Sequence, residues 1–195
     1  MKTRKTIIIF AVVSFILLVA VSVYAVMNYS EDEFRAQSIE TVKQSEGRDN
    51  HHAVGENLLE QDFDRVINNN GSFSDIVENN EVTVVNFFAS WCEPCKRETP
   101  DLNQYYNDQS ESPVEVVGIN LRDSAENRDR FLETYEVEYP IFEFSDESEA
   151  IDQYHINLMP TTFFLNSEGD VVRAYIGEIT PEQLTSYIEY VKEAS

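Results

Sequence analysis

"VTVVNFFASWCEPCKRETP", residues 82–100, changes from strand-like to helix-like sequence and holds both cysteines of the chain. Val82–Phe88 is β-branched and aromatic with apolar residues on both faces, the mark of a central strand covered on both sides. Residues 96–107 have helical character, interrupted at Pro100, whose missing backbone donor is expected to kink the helix. Cys92 and Cys95 fall at the junction. A disulfide across so short a loop adds little closure entropy and joins no distant parts. Half of a zinc site needs two more ligands, and with no further cysteine His155 alone does not complete it. A redox pair accounts for the spacing better. Cys92 stands where a helix begins, so unpaired N–H groups and the positive end of the helix dipole favour its thiolate. Cys95, one turn further in, is placed to attack a mixed disulfide that Cys92 forms. Pro94 is tolerated between them because a first-turn N–H has no partner to lose.

Outward from this stretch, strand-length apolar runs alternate with segments of helical spacing, the pattern of a sheet covered by helices. Val114–Asn120 is the next strand. Ser124 is an N-cap candidate for a helix that places Phe131, Leu132 and Tyr135 on one face. "YPIFEF" reads as a short extended piece, and Asp146 with Glu149 fits the spacing of a capping box before a short helix. Thr161–Leu165 and Val171–Ile176 form a hairpin around a turn in which Gly169 supplies the permissive backbone. Thr180-Pro181-Glu182-Gln183 has the cap, first-turn proline and third-position glutamine that open a terminal helix reaching about Lys192. The sum is an α/β domain: a central mixed β-sheet flanked by helices.

The run through WCEPC and the proline-interrupted helix resembles the active-site segment of the thioredoxin superfamily, in particular its membrane-anchored ResA/TlpA branch. The likeness extends from about Val82 to Val191 and includes a second motif, "NLMPTTFFLNSEGDVVRAYIG". It implies a thioredoxin-like fold and a thiol-disulfide oxidoreductase whose redox-active disulfide is Cys92–Cys95. It further implies a cis Met159–Pro160 peptide lying against that disulfide, with Trp91, Pro94, Met159, Pro160 and Thr161 binding substrate. By the same resemblance Glu93 and Glu98 tune the cysteine pair. Thioredoxin carries a buried aspartate six residues before its first cysteine, but this chain has Asn86 there, so Glu98 is expected to handle the proton of Cys95. A carboxylate near a thiol disfavours the thiolate and makes the disulfide less oxidising, while a carboxyl that accepts the resolving proton assists exchange. The bland reading of Glu93 and Glu98 is that they are solvated acids favoured by the helix dipole. The chain departs from the family at Gln61-Asp62-Phe63, at Asn80-Glu81 and at Phe88, where a tryptophan is common.

Residues 7–27, "IIIFAVVSFILLVAVSVYAVM", contain no charge, and 21 residues at 1.5 Å each match the roughly 30 Å of bilayer hydrocarbon. Lys2, Arg4 and Lys5 before them orient the amino end to the cytoplasm. The rival is a signal peptide cleaved near Ala25, but the apolar run exceeds a usual signal core. Lys2, Arg4 and Lys5 precede the first acid, Glu31, so beyond them 11 of the 14 bases face all 36 acids, for a net charge of −25. Such a surface repels nucleic acid. Residues 28–57 are polar, acidic and poor in large apolar side chains, so they read as a linker, with His51 and His52 in a solvated loop. The expected organisation is a cytoplasmic terminus (1–6), a transmembrane signal anchor (7–27), an acidic linker (28–57) and a thioredoxin-like domain (58–195) on the outer face of the cell membrane.

No cofactor beyond the cysteine pair is expected, and no metal. The resemblance implies reduction of disulfides in exported proteins, apocytochrome c among them during cytochrome c maturation, with electrons from a membrane-embedded thiol-disulfide donor. Two alternatives stay open: a thiol oxidase or disulfide isomerase on the same fold, and a non-catalytic module that binds thiols or metal.

Overall fold

The computed structural model describes residues 12–24, 51–68, 71–108 and 113–194. The chain divides into two units, residues 1–40 and 41–195. In the first, residues 12–24 are helical (α1), with large apolar side chains such as Phe15 and Leu18 exposed. Among the described residues no helix is long and apolar enough to cross a membrane. The expected span 7–27 runs past α1 at both ends. Its remaining residues, with 1–6 and 28–50, lie outside the described residues.

The second unit is built on one six-stranded sheet. Its strands are β1 (Phe63–Ile67), β2 (Val82–Phe88), β3 (Val114–Asn120), β4 (Ile141–Phe144), β5 (Thr161–Leu165) and β6 (Val171–Ile176). They lie in the order β1-β4-β3-β2-β5-β6. β2 pairs parallel with β3, and β3 with β4; β1–β4, β2–β5 and β5–β6 are antiparallel, which makes the sheet mixed as expected. The helices are α2 (Phe73–Glu78), α3 (Glu93–Asp108), α4 (Ala125–Thr134), α5 (Glu147–Tyr154) and α6 (Pro181–Ala194).

Because side chains alternate along a strand, β2 feeds two cores at once. Val82, Val84 and Phe88 pack on one face with Leu102 of α3, Phe131 of α4 and Leu184 and Ile188 of α6. Val85 and Phe87 pack on the other with Phe73 and Val77 of α2 and Ile151 and Tyr154 of α5. Every residue of β2 is buried, which explains why this strand reads as a continuous apolar run.

Local signals place the helix ends. Thr180 N–H donates to Gln183 Oε1 at 3.0 Å and Gln183 N–H to Thr180 Oγ1 at 3.3 Å, so the capping box expected at α6 is closed in both directions. Ser124 caps α4, and Asp146 accepts the Glu149 N–H at α5. Gly169 has φ +84° in the β5–β6 turn, a backbone that disfavours a Cβ. α3 starts three residues before the expected Lys96, with Pro100 inside it. β1 and α2 carry no apolar period long enough to announce them. β1 is a half-exposed edge strand, and α2 is six residues long, its start held by a capping box between Ser72 and Asp75.

The expected linker 28–57 requires a correction, because the domain reaches back to His51. His51 is buried, its Nδ1 accepting the Ala53 N–H at 3.1 Å and its ring edge-on to Phe163 at 5.1 Å between centroids. Gly55 N–H donates to Val171 O and Val171 N–H to Glu56 O, each at 2.9 Å, so residues 55–57 line the start of β6. Main-chain pairing orders this segment without large apolar side chains, which is why composition hides it. His52 stays exposed, its ring 5.0 Å from that of His155, and no group of three ligating side chains among the described residues is placed to hold a metal.

Candidate active site

Cys92 ends the loop leaving β2, and Cys95 lies in the first turn of α3. The two are joined as a disulfide, with Cα atoms 5.3 Å apart, and both are buried. Cys95 N–H donates to Cys92 Sγ at 3.3 Å, and Lys96 N–H to Cys92 O at 3.2 Å. The sulfur of Cys92 therefore accepts a first-turn amide N–H of α3, an arrangement that favours a thiolate there.

Glu98 follows one turn later and points inward, 1% exposed. Each carboxyl oxygen accepts one N–H: Oε1 from Asn86 Nδ2 at 2.8 Å, Oε2 from the Ile179 main chain at 2.9 Å. Burial disfavours the charged form and dominates, the two donors offset part of it, and the pKa is pushed up to about 7. This carboxyl can gain or lose a proton near neutral pH. Asn86 is itself held, its Nδ2 also donating to Thr162 Oγ1 at 3.1 Å across the β2–β5 pair in which the two residues are partners.

Glu93 goes elsewhere. Its side chain is 71% exposed and ion-paired with Lys96 at 2.5 Å, and the hydrogen bond from Lys96 holds its pKa below the usual carboxylate range. The structure thus buries Glu98 beneath the first turn of α3 and leaves Glu93 facing solvent.

The Met159–Pro160 peptide is cis. Phe87 of β2 pairs with Thr161 of β5, so this peptide and the disulfide share one edge of the sheet. Pro160 and Thr161 are buried and Met159 is partly so; Thr161 Oγ1 donates to Leu158 O at 2.8 Å, and Gly177 N–H to Pro160 O at 2.9 Å. Pro94 is half-buried in the first turn of α3, and Trp91 is 57% exposed with its indole N–H donating to Arg122 O at 2.9 Å. Leu158, also exposed, adds an apolar side chain on the same edge that sequence reasoning did not single out. Asn86 as a donor to Glu98 was missed as well, although a polar residue amid an otherwise apolar run was its signal.

A sequence profile of the AhpC/TSA family matches residues 54–174, and the chain belongs to that family. Over 110 residues it is 34% identical to sporulation thiol-disulfide oxidoreductase A of Bacillus subtilis (strain 168), covering 55% of this chain and 66% of the relative. Over 108 residues it is 33% identical to thiol-disulfide oxidoreductase ResA of the same organism, covering 55% of this chain and 60% of the relative. The match thus spans just under two thirds of these curated relatives. Among solved structures, the thioredoxin family thiol:disulfide interchange protein of Chlorobium tepidum TLS superposes with TM-score 0.53 at 25% identity, over 68% of this chain and 92% of that one. A second Chlorobium tepidum structure, of a putative thiol:disulfide interchange protein DsbE, superposes with TM-score 0.57 at 22% identity, over 71% and 97%. The fold is thioredoxin-like.

Proposed function

We propose that this chain is a thiol-disulfide oxidoreductase that reduces disulfides in exported proteins at the outer face of the cell membrane. The observation that carries the reading is the Cys92–Cys95 disulfide at the start of α3 with the buried, hydrogen-bonded carboxyl of Glu98 one turn beyond it. The names of its curated relatives agree with that chemistry.

In the reduced protein, the Cys92 thiolate attacks one sulfur of a substrate disulfide and the other substrate sulfur leaves as a thiolate. Cys95 then gives its proton to Glu98 and attacks Cys92 in the mixed disulfide. The substrate departs with both sulfurs reduced, and the Cys92–Cys95 bond takes up the oxidation. In this reading Trp91, Pro94, Met159, Pro160 and Thr161 bind the substrate chain. Glu93, paired with Lys96 at the surface, tunes the potential only weakly, because solvent screens its charge. No cofactor beyond the cysteine pair takes part.

An oxidising exterior would leave the pair as a disulfide, so turnover requires electrons delivered through the membrane by an embedded thiol-disulfide donor. The apolar segment 7–27 anchors the chain there, and tethering raises the local concentration of partners in the same bilayer. Apocytochrome c, with the cysteine pair that receives haem, is the substrate we assign within cytochrome c maturation.

The reduction potential tests the direction. A potential near that of thioredoxin, around −270 mV, fits a reductase, and one near −120 mV would make the chain an oxidant and overturn the assignment. Disulfide reduction by the purified protein, lost in Cys92→Ser, separates either enzyme from a binding module.

A further inference from the structure

Ser124 already caps α4, its Oγ accepting the Asn127 N–H at 3.3 Å, so the carboxylate one residue earlier is not needed for that end. Asp123 turns instead to the loop that leads into Cys92. Its Oδ2 accepts the Ser90 N–H at 2.6 Å, and its Oδ1 the Ser90 hydroxyl at 2.8 Å. Ser124 N–H at 2.9 Å and Asn120 Nδ2 at 3.3 Å complete the set. Burial works to raise this carboxyl, but the bonds from Ser90, Asn120 and Ser124 together hold it below the usual carboxylate range, so it is an anion at neutral pH.

The same two loops meet at further points. Leu121 N–H donates to Phe88 O at 3.0 Å, Asn120 Nδ2 to Phe88 O at 3.4 Å, and the Trp91 indole to Arg122 O at 2.9 Å. Residues 89–91 and 121–123 follow the ends of adjacent parallel strands, whose ladder stops at Phe88 and Asn120, so the first of these loops lies beyond it. A displacement of the reacting atom by about 1 Å can slow a reaction of oriented groups about 100-fold, so a loop that carries a nucleophile needs such a hold.

We propose that Asp123 is a positioning residue for Cys92: it grips Ser90 by main chain and side chain, and so sets both the attacking sulfur at the start of α3 and the Trp91 indole beside it. The inference rests on the exchange reaction proposed above. It makes the β3–α4 loop, far from the cysteines in sequence, part of the reactive edge.

Trp91 is the sole tryptophan of the chain, so its fluorescence reports on this loop alone. In the reduced full-length protein, Asp123→Ala should keep the circular dichroism of the wild type. It should lower the fluorescence anisotropy of Trp91 and slow the reaction of Cys92 with dithiobis(nitrobenzoic acid) about ten-fold. Asp123→Asn, which keeps one acceptor oxygen, should fall between. A folded Asp123→Ala with wild-type anisotropy and wild-type Cys92 reactivity overturns the proposal. Should that variant not fold, Ser90→Ala removes one of the two grips and must move both readouts the same way by a smaller amount, and no movement overturns the proposal equally. A wild-type Cys92 that does not react with the reagent would count against the exchange reading instead, and the anisotropy alone would then decide the role of Asp123.

Discussion

Glu93 and Glu98 stand on one helix and face opposite solvents. The first sits in water with Lys96 as its partner, and the second lies under the sheet with an asparagine and a main-chain N–H as its donors among the described residues. Exposure leaves Glu93 ionised and screened, so its effect on the cysteines is diluted. Burial moves the Glu98 ionisation to about pH 7, where a small change of surroundings turns it from acid to base. Both were carboxylates close to the cysteines in sequence. What separates them is which face of α3 meets β2.

That contrast can be broken in order of effect. Cys92→Ser should reduce disulfide exchange to background, and Cys95→Ser should abolish turnover while leaving Cys92 able to hold partners as stable mixed disulfides. Recovery of such adducts from membranes by non-reducing electrophoresis checks the order of attack, and finding none contradicts it. Glu98→Gln should slow exchange roughly 100-fold, the range of a lost general acid–base group, measured as insulin reduction.

The same substitution has a stability signature. In the fold, Glu98 holds a proton between pH 4.5 and about 7 that the unfolded chain releases. Unfolding free energy from this group is therefore highest below pH 4.5 and falls as pH rises to about 7, by about 3 kcal/mol. Glu98→Gln should remove that slope in urea melts across the window. Asn86→Ala deletes a donor to Oε1 and should raise the Glu98 ionisation by about one pH unit, read from the pH dependence of exchange. Glu93→Gln sharpens the comparison from the other side, since exchange should stay within about two-fold and the thermal midpoint should not move.

The sequence announced the parts of this molecule whose physics is local. β2, β3 and the β5–β6 hairpin have the bounds expected of them because apolar runs and a turn glycine mark them directly. The α6 cap was legible for the same reason. β1 was not, because an edge strand is held by its ladder to β4 rather than by its own side chains. The segment from His51 to Asn57 was hidden likewise, its order coming from backbone pairing with Val171 and Asp170.

At the reactive edge, the cysteines and the cis peptide lie in motifs, and the resemblance pointed to Glu98 without telling that it is buried. The partners of Glu98 could not be anticipated. Asn86 lies 12 residues away and Ile179 lies 81 residues away, and only the packing of β2 and of the chain before α6 onto α3 joins them. Asp123 is of the same kind, 33 residues from the serine it holds.

The claim that a buried carboxyl drives the resolving step is tested most directly by the pH dependence of disulfide exchange in the wild type and in Glu98→Gln. We expect the wild-type rate to follow an ionisation near pH 7 that is missing from the variant. Superimposable profiles for the two proteins would contradict it.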